Sequence, residues 1–233
     1  MQEAAEWQSA SFAPLPTRPS FSAGQGATMP KCRILFGGSF DPPQRAHEEL
    51  IARALAARPQ AECWVVPAGS PPHKDAQTMS SAELRFELCE LAFGSLARVR
   101  VSDEEIRRGG TSYTVETLRR HRGELGQEAE LCWLLGSDSL LDLESWRKVH
   151  EILSLCQILT VPRPGFSVAD LEQLSGFDAK EKKQLRAGIL GKSLAAPISS
   201  TEVRTRLAQG QEVSTLISPA VLARIRQLGL YRS

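Results

Sequence analysis

The sequence alternates between short apolar runs, typical of buried strands, and longer stretches with the periodicity of amphipathic helices. Such alternation with short connections is typical of a sheet covered by helices on both faces. We therefore predict an α/β, Rossmann-like fold: a doubly wound, mostly parallel sheet of about five to six strands with C-terminal helices. The predicted strands are residues 32–36, 62–67, 98–101, 130–135 and 157–161, and the predicted helices are residues 46–57, 82–93, 114–121, 145–153, 168–190, 200–209 and 218–228.

The first 28 residues differ in composition from the rest of the chain. Ala, Ser, Pro, Gly and Gln make up 18 of them, and no apolar periodicity runs through them. Such a segment buries too little surface to offset its ordering entropy, so we predict a disordered extension over residues 1–28 and one domain over 29–233. Arg18 is the only positive charge of the segment, which is not typical of a signal peptide. Met29 is an alternative to Met1 as the start of translation.

Charge and cysteine usage argue against several classes of protein. With 28 basic and 27 acidic residues the net charge is +1, which argues against binding nucleic acid through bulk charge. No run approaches the roughly 18–20 apolar residues that a membrane helix requires. The five cysteines are widely spaced without a C-x-x-C pair, so neither a disulfide framework nor a zinc site is expected. We expect a soluble, cytoplasmic protein with no nucleic-acid or membrane partner.

Ligands of doubly wound sheets bind at the carboxyl ends of the strands, so the loops that follow the strands are the informative ones. The first of them, residues 37–47, reads Gly-Gly-Ser-Phe-Asp-Pro-Pro-Gln-Arg-Ala-His. Its glycines let the backbone approach a ligand closely, and His47 falls in the first turn of a helix, where phosphate is favoured. The alternative interpretation is a tight turn followed by a surface histidine.

Two further loops carry cations and hydroxyl groups. Residues 71–74, Pro-Pro-His-Lys, follow the second strand and place Lys74 at the same end of the sheet. Residues 198–204, Ile-Ser-Ser-Thr-Glu-Val-Arg, combine the capping-box pair Ser199 and Glu202 with Arg204 one turn into the helix. A helix start with such side chains suits an anion. The alternatives are a proline-stiffened surface loop and an ordinary capped helix.

The loops together resemble those of bacterial nicotinate-nucleotide adenylyltransferases, within the HxGH nucleotidyltransferase superfamily. The resemblance extends from about Lys31 to Tyr231. Several motifs in the order of one family identify it far more specifically than any single motif. The motifs are Gly-Gly-Ser-Phe-Asp-Pro at 37–42, Pro-Pro-His-Lys at 71–74, Ser-Tyr-Thr at 112–114, Thr-Leu at 117–118, Gly-Ser-Asp at 136–138, Trp146, Arg-Pro-Gly at 163–165 and Ile-Ser-Ser-Thr-x-x-Arg at 198–204.

The resemblance implies a nucleotidyltransferase domain over 29–233 that transfers the adenylyl group of ATP to nicotinate mononucleotide, giving deamido-NAD and pyrophosphate. It implies Mg²⁺ carried by ATP without dedicated protein ligands, and it leaves a homo-oligomer open. The residues implied to act in catalysis are His47, Gln44, Lys74 and Arg204. Those implied to bind ATP are Gly37, Gly38, Ser39, Phe40, His47, Gly136, Asp138, Ile198, Ser199, Ser200, Thr201 and Arg204. Those implied to bind nicotinate mononucleotide are Ser39, Lys74, Ser112, Tyr113, Thr114, Trp146 and Arg163, with Trp146 stacking on the pyridine ring.

One motif departs from the pattern of the family. Where the family has His-x-Gly-His, this chain has Gln44, Arg45, Ala46 and His47. Gln44 can donate a hydrogen bond but carries no charge, and Ala46 places a methyl where a glycine lets the backbone approach the nucleotide. Arg45 is a candidate for the missing charge. Two other functions therefore stay open: a catalytically impaired nucleotide-binding paralogue, and a sister nucleotidyltransferase with another phosphate acceptor.

Three of the pocket residues also have structural interpretations. Trp146, on a predicted helix, could belong to the core, Asp138 could cap the helix after the fourth strand, and Tyr113 could cover a loop. The segment 112–114 and Trp146 nevertheless favour a nicotinate acceptor over other phosphate acceptors.

Overall fold

The computed structural model describes residues 32–72, 79–191, 193 and 199–232. Its centre is a five-stranded sheet in the order β3-β2-β1-β4-β5, in which every neighbouring pair of strands is parallel. The strand order therefore reverses between β1 and β4, which is the point at which such sheets bind ligands. The strands are β1 (Cys32–Gly38), β2 (Ala61–Pro67), β3 (Val99–Val101), β4 (Glu130–Gly136) and β5 (Gln157–Val161).

Helices pack on both faces of the sheet. In chain order they are α1 (Arg45–Ala57), α2 (Ala82–Phe93), α3 (Glu104–Arg108), α4 (Thr114–Leu125), α5 (Ser137–Leu141), α6 (Val149–Leu155), α7 (Ala179–Ala187), α8 (Ser200–Ala208) and α9 (Pro219–Leu228). Buried residues of α1, α2, α8 and α9 form the core on one face, and those of α4, α6 and α7 form the core on the other. The protein is thus a three-layer α/β/α structure, as the sequence predicts.

The central strand β1 contributes to both cores because successive side chains of a strand point to opposite faces. Ile34 and Phe36 pack in the core that contains Leu50 of α1, whereas Leu35 packs in the core that contains Leu118 of α4. A strand that is apolar on both faces is typical of the centre of a parallel sheet. This burial fixes the position of the loop that leaves β1 at its carboxyl end.

The predicted strands are confirmed to within two residues at each end, but several helix predictions were wrong. The helices α3 and α5 were not predicted, because five residues are too few to show a helical period. The helix predicted over 145–153 begins only at Val149, since Lys148 has a left-handed backbone with φ of 58°. The helix predicted over 168–190 is two elements, a 3-10 helix at Val168–Gln173 and α7, which begins after its N-cap Asp178.

The five cysteines are buried and form no disulfide. Burial raises the pKa of the thiols of Cys63 and Cys156 to about 12, so both are neutral at physiological pH. Among the described residues, one cluster of three potential metal ligands occurs: Cys32, Glu130 and Cys132, whose ligand atoms lie within 4.8 Å of one another. Glu130 accepts a hydrogen bond of 2.8 Å from the Arg58 guanidinium at that position.

The structure bears on the membrane prediction but not on the N-terminal segment. None of the helices in the described part of the chain is long and apolar enough to cross a membrane. Residues 1–28 lie outside the described residues, so the division into an extension and one domain stays a prediction.

Candidate active site

A cavity of about 680 Å³ lies at the carboxyl ends of β1 and β4, where the strand order reverses. One side, which we name the glycine-loop wall, consists of residues 37–40, Gln44 and His47 together with 199–201 at the start of α8. The other side, the aromatic wall, consists of residues 112–114 together with 138–139, Asp142 and 145–147. The volume of the cavity is in the range of sites that bind small molecules and cofactors.

The glycine-loop wall begins where β1 runs beside the indole of Trp133 on β4. A Cβ atom at position 37 would lie only 2.4 Å from two carbons of that indole, so only glycine fits there. Trp133 is itself 3% exposed and lines the cavity. The sequence pair Gly37-Gly38 therefore serves close packing between neighbouring strands as well as access of a ligand to the backbone.

His47 is fixed at the start of α1 by the residue that caps the helix. The backbone N–H of Gln44 donates to Nδ1 of His47 over 3.1 Å, so a neutral imidazole carries its proton on Nε2. The ring also packs edge-on against Phe40, with centroids 5.0 Å apart. Gln44 is 2% exposed and has a capping-box arrangement with His47 while lining the cavity. The glutamine thus has a structural role in the helix start.

A buried guanidinium anchors the glycine-loop wall from behind. Arg85 of α2 is 1% exposed and donates to the carbonyl oxygens of Ser39 at 2.8 Å, Gly69 at 3.1 Å and Ser80 at 3.1 Å. These contacts tie the loop after β1 to the loop after β2. Burial lowers the pKa of the Arg85 guanidinium, while the nearby charge of Asp41 opposes that shift.

Asp41 connects the same loop to the C-terminal part of the chain. Its carboxylate is buried and accepts a 2.5 Å hydrogen bond from the hydroxyl of Tyr231. Arg204 of α8 donates to the backbone oxygen of Asp41 at 2.7 Å, and Ser200 donates to the backbone oxygen of Pro42 at 3.0 Å. The start of α8 is therefore held against residues 41–42, with its first turn facing the cavity.

A third group of residues follows β4. Asp138, in the first turn of α5, is half exposed and lies 3.1 Å from Nε of Arg163. Ser137 accepts a hydrogen bond of 2.9 Å from the backbone N–H of Arg163, which fixes the loop after β5 against α5. A Cβ atom on Gly136 would lie 2.5 Å from the Asp138 carboxylate and 2.9 Å from Nε of Arg163, so a larger residue would displace this ion pair. The N-cap of α5 is Gly136, so the interpretation of Asp138 as a helix cap is wrong.

The aromatic wall places two rings and a guanidinium at the other end of the cavity. Trp146 lies in an extended stretch after a 3-10 turn, not on a helix, and its ring packs edge-on against Trp133 at 6.3 Å. Tyr113 is the N-cap residue of α4. The Arg147 guanidinium carbon lies 4.4 Å from the centroid of the Tyr113 ring. Trp146 thus contacts the core and lines the cavity at the same time.

A buried carboxyl group supports the segment 112–114. Glu105 of α3 is 4% exposed, accepts a 2.5 Å hydrogen bond from the Thr117 hydroxyl and is also hydrogen-bonded by Ser112. The Ser112 hydroxyl accepts from the backbone N–H groups of Gly69 at 3.0 Å and Ser70 at 3.3 Å. Burial raises the pKa of the Glu105 carboxyl above its ordinary value.

Most of the predicted site residues meet in this cavity. Among the described residues, its lining does not include Arg204, which holds the glycine-loop wall from behind, or Arg45, which lies 4.0 Å from Glu48 beside a separate surface pocket. Arg45 therefore does not supply the charge missing from the 44–47 motif. Lys74 and Ile198 lie outside the described residues. The predicted residues that line the cavity are Gly37, Gly38, Ser39, Phe40, Gln44, His47, Ser112, Tyr113, Thr114, Gly136, Asp138, Trp146, Arg163, Ser199, Ser200 and Thr201.

Four residues of the site were not predicted from the sequence: Arg85, Glu105, Trp133 and Arg147. Arg85 and Trp133 lie inside a helix and a strand that read as ordinary core elements, and their contacts join residues far apart in the chain. Glu105 belongs to the helix α3 that was missed. Arg147 could have been predicted as a residue of the site, because it directly follows Trp146 in the sequence.

Comparison with known proteins gives the family. A model of the cytidylyltransferase-like family matches residues 35–206. A protein of Chromobacterium violaceum described as a probable nicotinate-nucleotide adenylyltransferase is 40% identical over 208 residues, covering 85% of this chain and 97% of the relative. A protein of Dehalococcoides mccartyi with the same description is 36% identical over 197 residues, covering 84% of this chain and 95% of the relative.

Solved structures give the same fold. The nicotinic acid mononucleotide adenylyltransferase of Plasmodium falciparum complexed with NaAD has a TM-score of 0.67 at 20% identity, covering 86% of this chain and 97% of that chain. The same enzyme complexed with APC has a TM-score of 0.65 at 19% identity, covering 86% and 96%. The fold of the chain agrees with these structures, and its sequence agrees with the relatives described above. The chain therefore belongs to the nicotinate-nucleotide adenylyltransferase family of nucleotidyltransferases.

Proposed function

We propose that this protein transfers the adenylyl group of ATP to nicotinate mononucleotide in the cavity between its two walls, forming deamido-NAD and pyrophosphate. The observation that carries the proposal is that a single cavity joins two helix starts, those of α1 and α8, to the rings of Tyr113 and Trp146. Helix starts with histidine and hydroxyl groups suit phosphates, and an indole suits a pyridine ring. A triphosphate and a pyridine nucleotide can thus bind next to each other.

The reaction requires no protein nucleophile. A phosphate oxygen of the mononucleotide attacks the α-phosphorus of ATP, the bond from that phosphorus to the bridging oxygen of the β-phosphate breaks, and pyrophosphate leaves with the electron pair. The protein has two tasks: it aligns the attacking oxygen with the leaving group, and it stabilises the charge that develops on the transferred group.

The ATP phosphates lie against the glycine-loop wall in this proposal. His47 donates from Nε2 toward the phosphates, since its Nδ1 accepts from the Gln44 backbone. The first turn of α8 presents backbone N–H groups and the hydroxyl groups of Ser199 and Thr201, while the Ser200 hydroxyl donates to Pro42. Arg204 acts through the backbone of Asp41 and is a positioning residue, not a catalytic one.

The nucleoside parts lie along β4 and the aromatic wall. Asp138 offers carboxylate oxygens to ribose hydroxyls, and its ion pair with Arg163 fixes its orientation. Trp146 stacks on the pyridine ring, with the segment 112–114 beside it. The predicted role of Lys74 in binding phosphate remains part of this proposal.

Mg²⁺ enters with ATP in this proposal, because phosphate oxygens are the ligands that it prefers when nucleotides are bound. Within the described residues, the cluster of Cys32, Glu130 and Cys132 lies at the amino ends of β1 and β4, away from the cavity. Thiol ligands suit softer metals than Mg²⁺. The ion supplies charge neutralisation on the phosphates, and the protein residues supply position.

The direct test is to incubate the purified protein with ATP, Mg²⁺ and either nicotinate or nicotinamide mononucleotide, and to measure pyrophosphate release and the dinucleotide product. We expect turnover with nicotinate mononucleotide. Trp146→Ala should raise the KM for the mononucleotide about tenfold or more and the KM for ATP much less, since base–aromatic stacking contributes roughly 1–3 kcal/mol. Trp146→Phe, which keeps an aromatic face, should recover most of the loss.

Two outcomes would contradict this assignment. Equal increases of both KM values in Trp146→Ala would return Trp146 to a purely structural role. Absence of turnover in the wild type, together with ATP binding and activity restored by Gln44→His with Ala46→Gly, would show that the chain is a nucleotide-binding paralogue with an impaired 44–47 motif.

A further inference from the structure

We propose that Cys32, Glu130 and Cys132 form a binding site for one thiophilic divalent cation, with Zn²⁺ as the expected ion. The site lies at the amino ends of β1 and β4, at the opposite end of the sheet from the cavity, so it is separate from the Mg²⁺ that enters with ATP. The sequence, which lacks a C-x-x-C pair, predicts no zinc site, because these ligands come together only through strand pairing.

The sheet brings the three side chains together from two neighbouring strands. Cys32 pairs with Glu130 in the parallel ladder, and Cys132 follows Glu130 by two residues. Alternate residues of a strand share a face, so all three side chains belong to the face that α1 covers. The two Sγ atoms and a carboxylate oxygen lie within 4.8 Å of one another. One cation between them can therefore contact all three.

The spacing within the cluster matches that of ligands around one zinc ion. Sγ of Cys132 lies 3.5 Å from Oε1 of Glu130. In a tetrahedral site with Zn–S bonds of about 2.3 Å and Zn–O bonds of about 2.1 Å, a sulfur and an oxygen ligand are about 3.6 Å apart. Thiolates favour zinc over the hard cations Mg²⁺ and Ca²⁺, and a carboxylate is also a common zinc ligand. Three protein ligands leave the fourth position to water.

The strand register disfavours a disulfide between the same two cysteines. Cys132 is displaced by two residues along β4 from the partner of Cys32. Strands about 4.8 Å apart with a rise of about 3.3 Å per residue place the two Cα atoms about 8 Å apart. A disulfide requires Cα atoms within about 7 Å. The two sulfurs can thus share a cation more readily than a covalent bond.

The surroundings of the cluster provide access and balance its charge. The two thiols are buried, whereas the Glu130 side chain is 40% exposed, so a cation can enter from the side of the carboxylate. Arg58, the C-cap residue of α1, donates to Oε1 of Glu130 at 2.8 Å. Two thiolates, one carboxylate and a divalent cation together carry one negative charge, which the Arg58 guanidinium neutralises. Outer-shell donors of this kind orient the ligands of a metal.

Binding of the cation requires that the thiol protons leave. The hydrogen bond with Cys32 raises the pKa of the Cys132 thiol well above its ordinary value, and burial and the charge of Glu130 raise it further. Two S–H bonds break, two Zn–S bonds form and two protons pass to the buffer, with no change of oxidation state. Proton release therefore distinguishes thiolate ligands from carboxylate ligands at the surface.

The test uses the full chain, reduced and stripped of metal with a chelator. Zn²⁺ is titrated against a chromophoric chelator in the presence of excess Mg²⁺, which should not compete. We expect one Zn²⁺ per chain, about two protons released per ion, and a Tm that rises with Zn²⁺. Co²⁺ in place of Zn²⁺ should give the charge-transfer absorption of a sulfur-to-cobalt bond.

Two variants remove ligands one at a time. Cys132→Ala should lower the affinity for Zn²⁺ by more than about 100-fold, because even outer-shell partners of a metal contribute roughly 10- to 100-fold. Glu130→Gln should lower it by at least about tenfold, on the same scale. Glu130→Gln alters a partly exposed side chain and keeps its shape, so it tests the site even if Cys132→Ala fails to fold.

Cys63→Ala is the matched control. Cys63 of β2 is also buried and belongs to the same core, and it pairs with Ile34 on the side of β1 opposite to Cys132. It is not part of the cluster of potential ligands. The control should leave the affinity for Zn²⁺ and the cobalt absorption unchanged.

Four outcomes would overturn the site. Zn²⁺ bound at less than one ion per chain, or bound equally well by Cys132→Ala, would place any binding elsewhere. An equal loss of affinity in Cys63→Ala would show that zinc binds cysteines of unfolded chains. A disulfide between Cys32 and Cys132, detected by mass spectrometry after mild oxidation, would show that the strands approach more closely than their register implies. None of these outcomes depends on turnover, so the proposed function is tested separately.

Discussion

The two walls of the cavity are held in place by different kinds of contact. The glycine-loop wall rests on a fully buried arginine, Arg85, which donates to three backbone carbonyl oxygens. The aromatic wall rests on carboxyl groups and hydroxyls, with Glu105 at its centre, and carries an exposed guanidinium at its rim. An arginine stays charged over the accessible pH range, whereas carboxyl groups titrate. The support that Arg85 gives to the first wall should therefore not depend on pH, whereas the support that carboxyl groups give to the second wall should.

Behind the aromatic wall lies a second buried charged cluster. Arg33 of β1 donates to Nδ1 of His121 at 2.8 Å, which leaves Nε2 of a neutral ring to donate to Glu104 at 2.8 Å. Arg33 also contacts Glu62 at 3.1 Å and lies over the Trp64 ring at 4.4 Å. This cluster joins α3 and α4 to β1 and β2. The segment 112–114 between α3 and α4 thus depends on side-chain charges at its base.

We expect the two walls of the cavity to have different functions. In the proposed function, the glycine-loop wall offers backbone groups and one imidazole to the phosphates of ATP. In the proposed function, the aromatic wall holds the side chains that contact the mononucleotide, and we expect these to tolerate substitution without disturbing the other wall. Variants of the first wall should therefore lower stability or kcat, and variants of the second should change KM, specificity or pH dependence.

The largest effect is expected when the anchor of the glycine-loop wall is removed. Arg85→Met leaves the carbonyl oxygens of Ser39, Gly69 and Ser80 without their donor and removes one of the cations near the Asp41 carboxylate, so that Arg204, 3.9 Å away, remains. We expect the free energy of unfolding to fall by about 3–5 kcal/mol, as when one partner of a buried charged group is deleted. Denaturant unfolding measures this loss.

Arg206→Met is the control for the anchor, since Arg206 forms an exposed pair with Glu202 one turn away on α8. Its loss should change stability by no more than about 0.5 kcal/mol. If Arg85→Met lowers the free energy of unfolding by no more than this control, the glycine-loop wall does not depend on Arg85. The two walls would then not differ in the kind of side chain that supports them.

The next effect concerns catalysis at the glycine-loop wall. His47→Ala should lower kcat by roughly 10²-fold or more, the scale of removing one donor that acts in the transition state. The KM for ATP should change less, because charge on the transferred group develops mainly in the transition state. Steady-state kinetics with both substrates separates the two parameters, and thermal unfolding excludes loss of fold.

Gln44, the N-cap residue of α1, offers a second test of donors to the phosphates. Gln44→His should raise kcat if the native glutamine is only a weaker donor toward the phosphates. A decrease of kcat would show that the Gln44 side chain is more important as the cap that accepts from the backbone N–H of His47. A His47→Ala variant with full kcat would remove the imidazole from the reaction altogether.

The sequence allowed prediction of the fold class, the strands and most of the cavity lining, and the reasons are physical. Central strands are apolar on both faces, and the loops after them carry glycine, histidine and hydroxyl residues in short, continuous motifs such as 37–47 and 112–114. The anchors could not be predicted, because Arg85 and Tyr231 act through contacts to residues 46 and 190 positions away. Trp146 was placed on a helix because its neighbours have helical periodicity, whereas the left-handed backbone of Lys148 delays the helix.

The smallest expected effect tests the pH sensitivity of the aromatic wall. Burial raises the pKa of the Glu104 carboxyl. The hydrogen bond with His121 and the charge of Arg120 lower it by more, so the pKa lies below its ordinary value. A lowered carboxyl pKa stabilises the folded state above the unfolded-state pKa of about 4.3, and that contribution is lost as the pH falls through the folded-state pKa. Glu104→Gln should therefore lower the free energy of unfolding by roughly 1–2 kcal/mol at pH 7, the scale of a hydrogen bond to a charged group. The difference from the wild type should shrink below about pH 4. Unfolding curves at several pH values measure it, and a difference that does not depend on pH would show that Glu104 supports the aromatic wall by shape rather than by charge.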